Sequence, residues 1–190
     1  MKKDLIRNAQ ATIDFKDNFL ISGDNINWVE KKYSDLAGLY ENQAEAKENH
    51  NIAYKIADNI CMEHRDKGMY WSMTYLQPGM IDKEYNFTRG YFYVGECNEF
   101  YFCFQGEGHL IFWDGEKDFF VEKMYQGSVH WMPGKYARRI VNTGSEKLVV
   151  GVSWGYFERQ DHERIAKEGF PLRIFAGETG IEIVVKDEFK

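Results

Sequence analysis

The sequence predicts an all-β domain, a sandwich or barrel of short strands with a few short flanking helices. Three observations carry this. From Met69 to Val185 the chain is a succession of short runs rich in aromatic and β-branched residues, separated by turn residues. The punctuation suits hairpins: Pro78-Gly79 and Pro133-Gly134 fit type II turns, and Asp114-Gly115 supplies the positive dihedrals of a tight hairpin. The run Glu99-Phe100-Tyr101-Phe102-Cys103-Phe104 alternates, so in a strand Glu99, Tyr101 and Cys103 share one face and the three phenylalanines the other.

Taken in order, residues 1–33 alternate short apolar groups with turn signals, around Ile13, Phe19 to Ile21, and Trp28-Val29, and read as strands or an arm flanking a core. Ser34-Asp35 is placed to cap a short helix, and Glu41 to Asn49 has the composition of a surface helix. Ile52, Tyr54 and Ile56 alternate as in a strand. Candidate core strands follow at 69–76, 85–87, 91–93, 99–104, 109–113, 118–121, 128–132, 138–142 and 148–154. An amphipathic helix over 160–168 and strands around 173–175 and 181–185 close the chain. One domain over 1–190 is expected, with 1–50 flanking, 69–155 as barrel core and 156–190 as a C-terminal helix and strands.

Composition narrows the class. With 190 residues, 44% of them hydrophobic and 16% aromatic, the chain is long enough to bury a core and is not disordered. No run approaches the roughly eighteen apolar residues of a membrane span. The start, Met1 to Asn8, lacks the apolar segment of a secretory signal, so a cytoplasmic location is expected. Cys61, Cys97 and Cys103 form no Cys-x-x-Cys pair and read as ordinary buried residues in a reducing compartment. The net charge of −6 is spread without a basic stripe, which excludes nucleic acid as an expected partner.

The chemistry concentrates between Tyr91 and Asn142. The segment reads Tyr91-Phe92-Tyr93, five residues, Glu99, then Gly106. Its second half reads Gly127, five residues, Pro133-Gly134-Lys135, two residues, Arg138, three residues, Asn142. This layout resembles the two cupin motifs, His-x-His-(x)-Glu-x6-Gly and Gly-x5-Pro-x-Gly-x2-His-x3-Asn, with Tyr91, Tyr93 and Arg138 standing at the histidines and Glu99 retained. The resemblance implies a cupin double-stranded β-helix, a jelly-roll barrel.

A closer resemblance rests on Thr74 to Gly79, on Lys83 to Tyr93 with its Thr88-Arg89-Gly90-Tyr91-Phe92-Tyr93 block, and on Ile165 to Phe170. Over about Ser34 to Ile183 the chain is similar to the cupin-type glucose-6-phosphate isomerases. That family interconverts glucose 6-phosphate and fructose 6-phosphate in a metal-containing barrel, usually as a dimer. The resemblance implies phosphate-holding residues at Thr74, Thr88 and Gly90, and a sugar-lining tyrosine at Tyr101. Metal positions fall at Tyr91, Tyr93, Glu99 and Arg138, and Trp154 stands where the family has a tyrosine. Gln160-Asp161-His162 stands where it has His-Asp-Tyr. A small-molecule phosphosugar, a homodimer and a place in glycolysis or gluconeogenesis are the implied partners and context.

Each residue also has a bland reading. Thr74, Thr88 and Gly90 suit a phosphate cradle, with Arg89 adjacent, but equally suit strands and a turn. Glu99 suits a general base, with Arg138 steadying an enediolate oxygen, and equally a buried structural ion pair. No cofactor is expected; iron held by tyrosinate is the metal reading left open. Of His50, His64, His109, His130 and His162, only His130 and His162 are placed to border the pocket. The functional expectation is an isomerase with Glu99 and Arg138 as catalytic pair, or a phosphosugar-binding cupin that has lost catalysis.

Overall fold

A computed structural model describes residues 8–59, 69–95, 97–155 and 159–190. Cys61 and His64 lie outside them. Strands β1 (Ala11–Asp14) and β2 (Leu20–Gly23) form a hairpin, followed by β3 (Ile26–Lys32), a 3-10 turn (Ser34–Leu39), helix α1 (Gln43–Glu48), β4 (Ile52–Asn59) and β5 (Tyr70–Leu76). Then come β6 (Met80–Ile81), β7 (Glu84–Tyr85), β8 (Phe92–Val94), β9 (Glu99–Gln105), β10 (Glu107–Trp113), β11 (Phe119–Tyr125), β12 (Val129–Met132), β13 (Ala137–Asn142) and β14 (Leu148–Trp154). The chain ends with β15 (Arg159–Asp161), α2 (His162–Glu168), β16 (Leu172–Gly177) and β17 (Gly180–Val185).

The architecture is an all-β cupin jelly roll. One wall is a six-stranded sheet in the order β12-β9-β14-β5-β4-β3; the other is β11-β10-β13. The 86–91 segment extends the second wall through bridges Phe87 to Val141 and Tyr91 to Arg138. Between the walls lies a core that includes Tyr54, Leu76, Tyr93, Tyr101, Leu110, Phe112, Met124, Met132 and Ile140. A second cluster, Ile21, Ala57, Met73, Tyr75 and Val149, fills the space beneath the β1-β2 hairpin. Both faces of β5 are therefore buried, Met73 and Tyr75 on this second cluster and Ser72, Thr74 and Leu76 on the interior side. Among the described residues no helix is long and apolar enough to cross a membrane.

Several expectations are corrected. Residues 26–32 and 52–59 are strands of the main sheet, because β4 pairs with β5 along its length and buries Tyr54 and Ala57 on opposite faces. The barrel therefore reaches well before residue 69. Gly134 does not take the positive φ of a type II turn; it is glycine because a Cβ would lie 2.6 Å from the Cys97 nitrogen. The β10-β11 connection runs from Asp114 to Asp118 and is not a two-residue hairpin; the Asp114 carboxylate accepts from the Glu116 and Asp118 amides. Residues 160 and 161 pair with β8, so α2 starts only at His162, with the Asp161 carboxylate capping the Arg164 amide. The 3-10 turn has no side-chain cap: Asp35 accepts from the Lys32 amide instead.

Candidate functional site

Register aligns the interior of the six-stranded wall into rows. Glu99, Trp154 and Tyr70 form one; Tyr101, Val152, Ser72 and Asp58 the next; Cys103, Val150, Thr74 and Ile56 the third. The alternation seen in β9 holds, since Glu99, Tyr101 and Cys103 are buried and Phe100 is exposed. From the opposite wall, the Tyr91 to Arg138 bridge carries both side chains toward Glu99.

Glu99, Arg138, Tyr91, Tyr93 and Tyr101 converge on one centre. Glu99 Oε1 accepts hydrogen bonds from the Tyr91 hydroxyl at 2.9 Å and the Tyr93 hydroxyl at 2.6 Å. Its Oε2 accepts from the Tyr101 hydroxyl at 2.8 Å and lies 2.8 Å from Arg138 Nε. The last contact is ionic but not aligned as a hydrogen bond, and the three guanidinium nitrogens have no hydrogen-bond partner among the described residues. The guanidinium instead lies over the Tyr93 and Tyr91 rings, 4.4 and 5.1 Å from their centroids. Both members of the ion pair are shut off from solvent, with side-chain exposures of 2% for Arg138 and 0% for Glu99.

Burial, reinforced by the Glu99 charge, pushes the three phenols far above their usual range, so all remain protonated donors. For Arg138 burial pulls the pKa down, but Glu99 together with Tyr91, Tyr101 and Tyr93 more than offsets it and the cation persists. The Glu99 carboxylate thus faces three phenol donors and the guanidinium. The carboxylate of this cluster is satisfied while the guanidinium is held by charge and by the rings, and Tyr91 is its one partly exposed member. Trp154, stacked on Tyr70 at 5.7 Å, adds a buried indole N–H without a partner among the described residues.

The residues expected to hold phosphate lie beside this centre. Thr74 and Ser72 point inward and make no hydrogen bond among the described residues. The Thr88 hydroxyl accepts from the Ile140 amide at 3.0 Å, keeping its own proton free to donate. Gly90 has φ +79, and a Cβ there would meet Phe170 Cε2 at 2.6 Å and the Arg138 carbonyl oxygen at 2.8 Å. Tyr54, two residues from the strand partner of Thr74, reaches the Arg89 amide at 3.4 Å and so links the walls. His162 Nδ1 donates to the Gly90 carbonyl at 2.9 Å, and its ring meets Tyr91 edge-on at 5.5 Å. Burial, with Arg89 and Lys31 nearby, keeps His162 below its usual pKa. His162 Nε2 lies 3.2 Å from Gln160 Oε1.

Sequence reasoning missed two residues. Lys31 stands opposite Tyr54 in the β3-β4 register, and only that pairing adds its charge to this rim. Asp58 shares the row of Ser72 and Tyr101, and burial pushes its carboxyl up to about 6. Folded protein then holds more protons than unfolded chain between about pH 4 and pH 6, so this group's contribution falls as pH rises through that window. Asp58→Asn is expected to flatten that part of the stability profile and to stabilise the protein at pH 7 by on the order of 2 kcal/mol. Urea denaturation at pH 4.5 and pH 7 checks it.

Comparison with known proteins adds an independent line. The family description "Glucose-6-phosphate isomerase (GPI)" matches residues 30–186, most of the chain. The chain belongs to that family. Among its relatives, glucose-6-phosphate isomerase of Thermococcus onnurineus is 27% identical over 164 residues, covering 84% of this chain and 85% of the relative. The Sinorhizobium medicae protein of the same name is 28% identical over 146 residues, covering 74% and 68%. Among solved structures, a variant of Bacillus subtilis oxalate decarboxylase has a TM-score of 0.47 at 13% identity, covering 56% of this chain and 27% of that one.

The metal expected of the glucose-6-phosphate isomerase family can be tested against the donor set. Three protonated phenols and a permanent cation surround a carboxylate whose oxygens are already occupied. Such a set offers a metal ion no free anionic donor and places a positive charge beside it, so these residues do not fit the metal. Among the described residues no group of three His, Cys, Asp or Glu side chains is placed to hold one.

Proposed function

We propose that this member of the glucose-6-phosphate isomerase family binds a sugar phosphate, glucose 6-phosphate or fructose 6-phosphate first among candidates, without a metal and without interconverting the two. The observation that supports the reading is the division of the interior. Lys31 and Arg89 stand near His162, Lys31 opposite Tyr54, whose hydroxyl accepts from the Arg89 amide, while Glu99 and Arg138 neutralise each other behind Tyr91. An anion meets cations and hydroxyl donors at the rim, and the base that isomerisation needs is held away by three phenols.

A second reading, interconversion with Glu99 as base and Arg138 as electrophile, is favoured by their 2.8 Å pairing, which sets a carboxylate and a cation side by side. It requires Tyr91 to swing away so that substrate reaches Glu99. Thermal shift and calorimetric titration with both hexose phosphates, beside inorganic phosphate, test binding. Arg89→Ala and Lys31→Ala are each expected to weaken it about tenfold, the size of one charge-assisted hydrogen bond. Absence of any shift, or unchanged affinity in both variants, overturns the binding reading. A coupled isomerase assay on chelator-treated protein separates the two: turnover abolished by Arg138→Met establishes the second.

A further inference from the structure

A second cluster of reactive side chains lies outside the Glu99 centre. The Ser128 hydroxyl stands 2.9 Å from His130 Nε2, and His130 Nδ1 stands 2.6 Å from Glu122 Oε2. The order hydroxyl, imidazole Nε2, imidazole Nδ1, carboxylate is that of a nucleophile, its general base and the acid that orients it. These residues come from two strands and the turn joining them. Glu122 is on β11, His130 on β12, and Ser128 ends the turn, whose Ser128 amide bonds the Tyr125 carbonyl at 2.8 Å. Ser128 corresponds to Cys103 on β9, four residues along from Glu99, or about 13 Å at strand rise.

Three local features suit the arrangement to chemistry on an acyl group. Gly127 is exposed with φ +87, and the space where its Cβ would stand is empty to 4 Å, so an acyl group approaches over this backbone, Ser128 and His130 themselves being only 8% and 6% exposed. The Tyr125 amide donates to Ser128 Oγ at 3.1 Å, which favours negative charge on that oxygen. Gly127 and Ser128 already exchange hydrogen bonds with Cys103, so by the alternation of an antiparallel pair the Val129 amide points away from β9, toward the open edge of the sheet. An amide next after the nucleophile is a standard donor to a developing oxyanion.

We propose that Ser128, His130 and Glu122 form a second reactive site that hydrolyses small, unhindered carboxylic esters. Ser128 Oγ attacks the ester carbonyl carbon while its proton passes to His130 Nε2, and the Val129 amide faces the new oxyanion. Collapse breaks the acyl C–O bond, and the departing alcohol oxygen takes the proton from Nε2. Water then adds to the acyl-serine as His130 accepts one of its protons. The second collapse frees the carboxylic acid and returns the proton to Oγ. Glu122 holds the imidazole in the tautomer with its proton on Nδ1 and stabilises the imidazolium that forms.

The test uses the full chain. A fluorophosphonate probe is expected to form a covalent adduct that peptide mapping places on Ser128, and p-nitrophenyl acetate is expected to be cleaved. His130→Gln is expected to slow labelling by about 100-fold or more, the usual contribution of a general base. Glu122→Gln, at a position whose side chain is 41% exposed and thus tolerant of change, is expected to slow it as well. No adduct on Ser128 of the unaltered protein overturns the proposal whatever the variants do. So does labelling of Glu122→Gln and His130→Gln at the unaltered rate.

Discussion

Arg138→Ala is expected to lower the unfolding free energy by about 3–5 kcal/mol, because it leaves the Glu99 charge buried without its cation. For a chain of this size that is a fall of roughly 10 °C in melting temperature. The loss has a signature that separates charge from packing. Removing both partners, as in Glu99→Gln with Arg138→Met, leaves no buried charge and keeps most of the volume, so the double variant is expected to be more stable than Arg138→Ala alone. Guanidinium denaturation of the set measures it. A loss below about 1 kcal/mol in Arg138→Ala, or a double variant no better than it, would show that the pair is not buried as described.

Gly90→Ala is expected to cost about 3 kcal/mol, from a left-handed residue acquiring a Cβ and from overpacking against Phe170 and the Arg138 carbonyl. The Arg138 oxygen is backbone and cannot swing aside. The same shift would disturb the His162 bond to the Gly90 carbonyl, so ligand affinity and stability are expected to fall together. This makes Gly90 a poor reporter of phosphate contact, and Arg89 and Lys31 the informative positions. A Gly90→Ala protein melting within a degree or two of the unaltered one would contradict the crowding at this turn.

The two predictions explain which parts of the site were legible in the chain. The face shared by Glu99, Tyr101 and Cys103 follows from strand alternation alone. That Tyr91, Tyr93, Glu99 and Arg138 belong together came from their spacing in the two cupin motifs, and the structure brings all four to one centre. What spacing cannot express is saturation. Whether Glu99 is a base or a pinned structural anion depends on how many donors reach its two oxygens, and those donors arrive from β8, β9, β13 and the Tyr91 bridge. Lys31 and Asp58 had no signal at all, since a charged residue in a half-buried strand looks the same whichever face the neighbouring strand turns inward. The Ser128-His130 pair could have been noticed, two residues apart on one face of a strand, but Glu122 enters only through the turn.

By itself the sequence determined the all-β class and most of the strands, because alternation and turn residues are local properties with local causes. It also determined the family, through motif spacing that the match over residues 30–186 bears out. Only the tertiary structure decided that the centre is a closed ion pair under three phenols and that cations gather at the rim. Both depend on which side chains from distant strands approach within a few ångströms, and electrostatic and hydrogen-bond energies are set by those separations and by the exclusion of water.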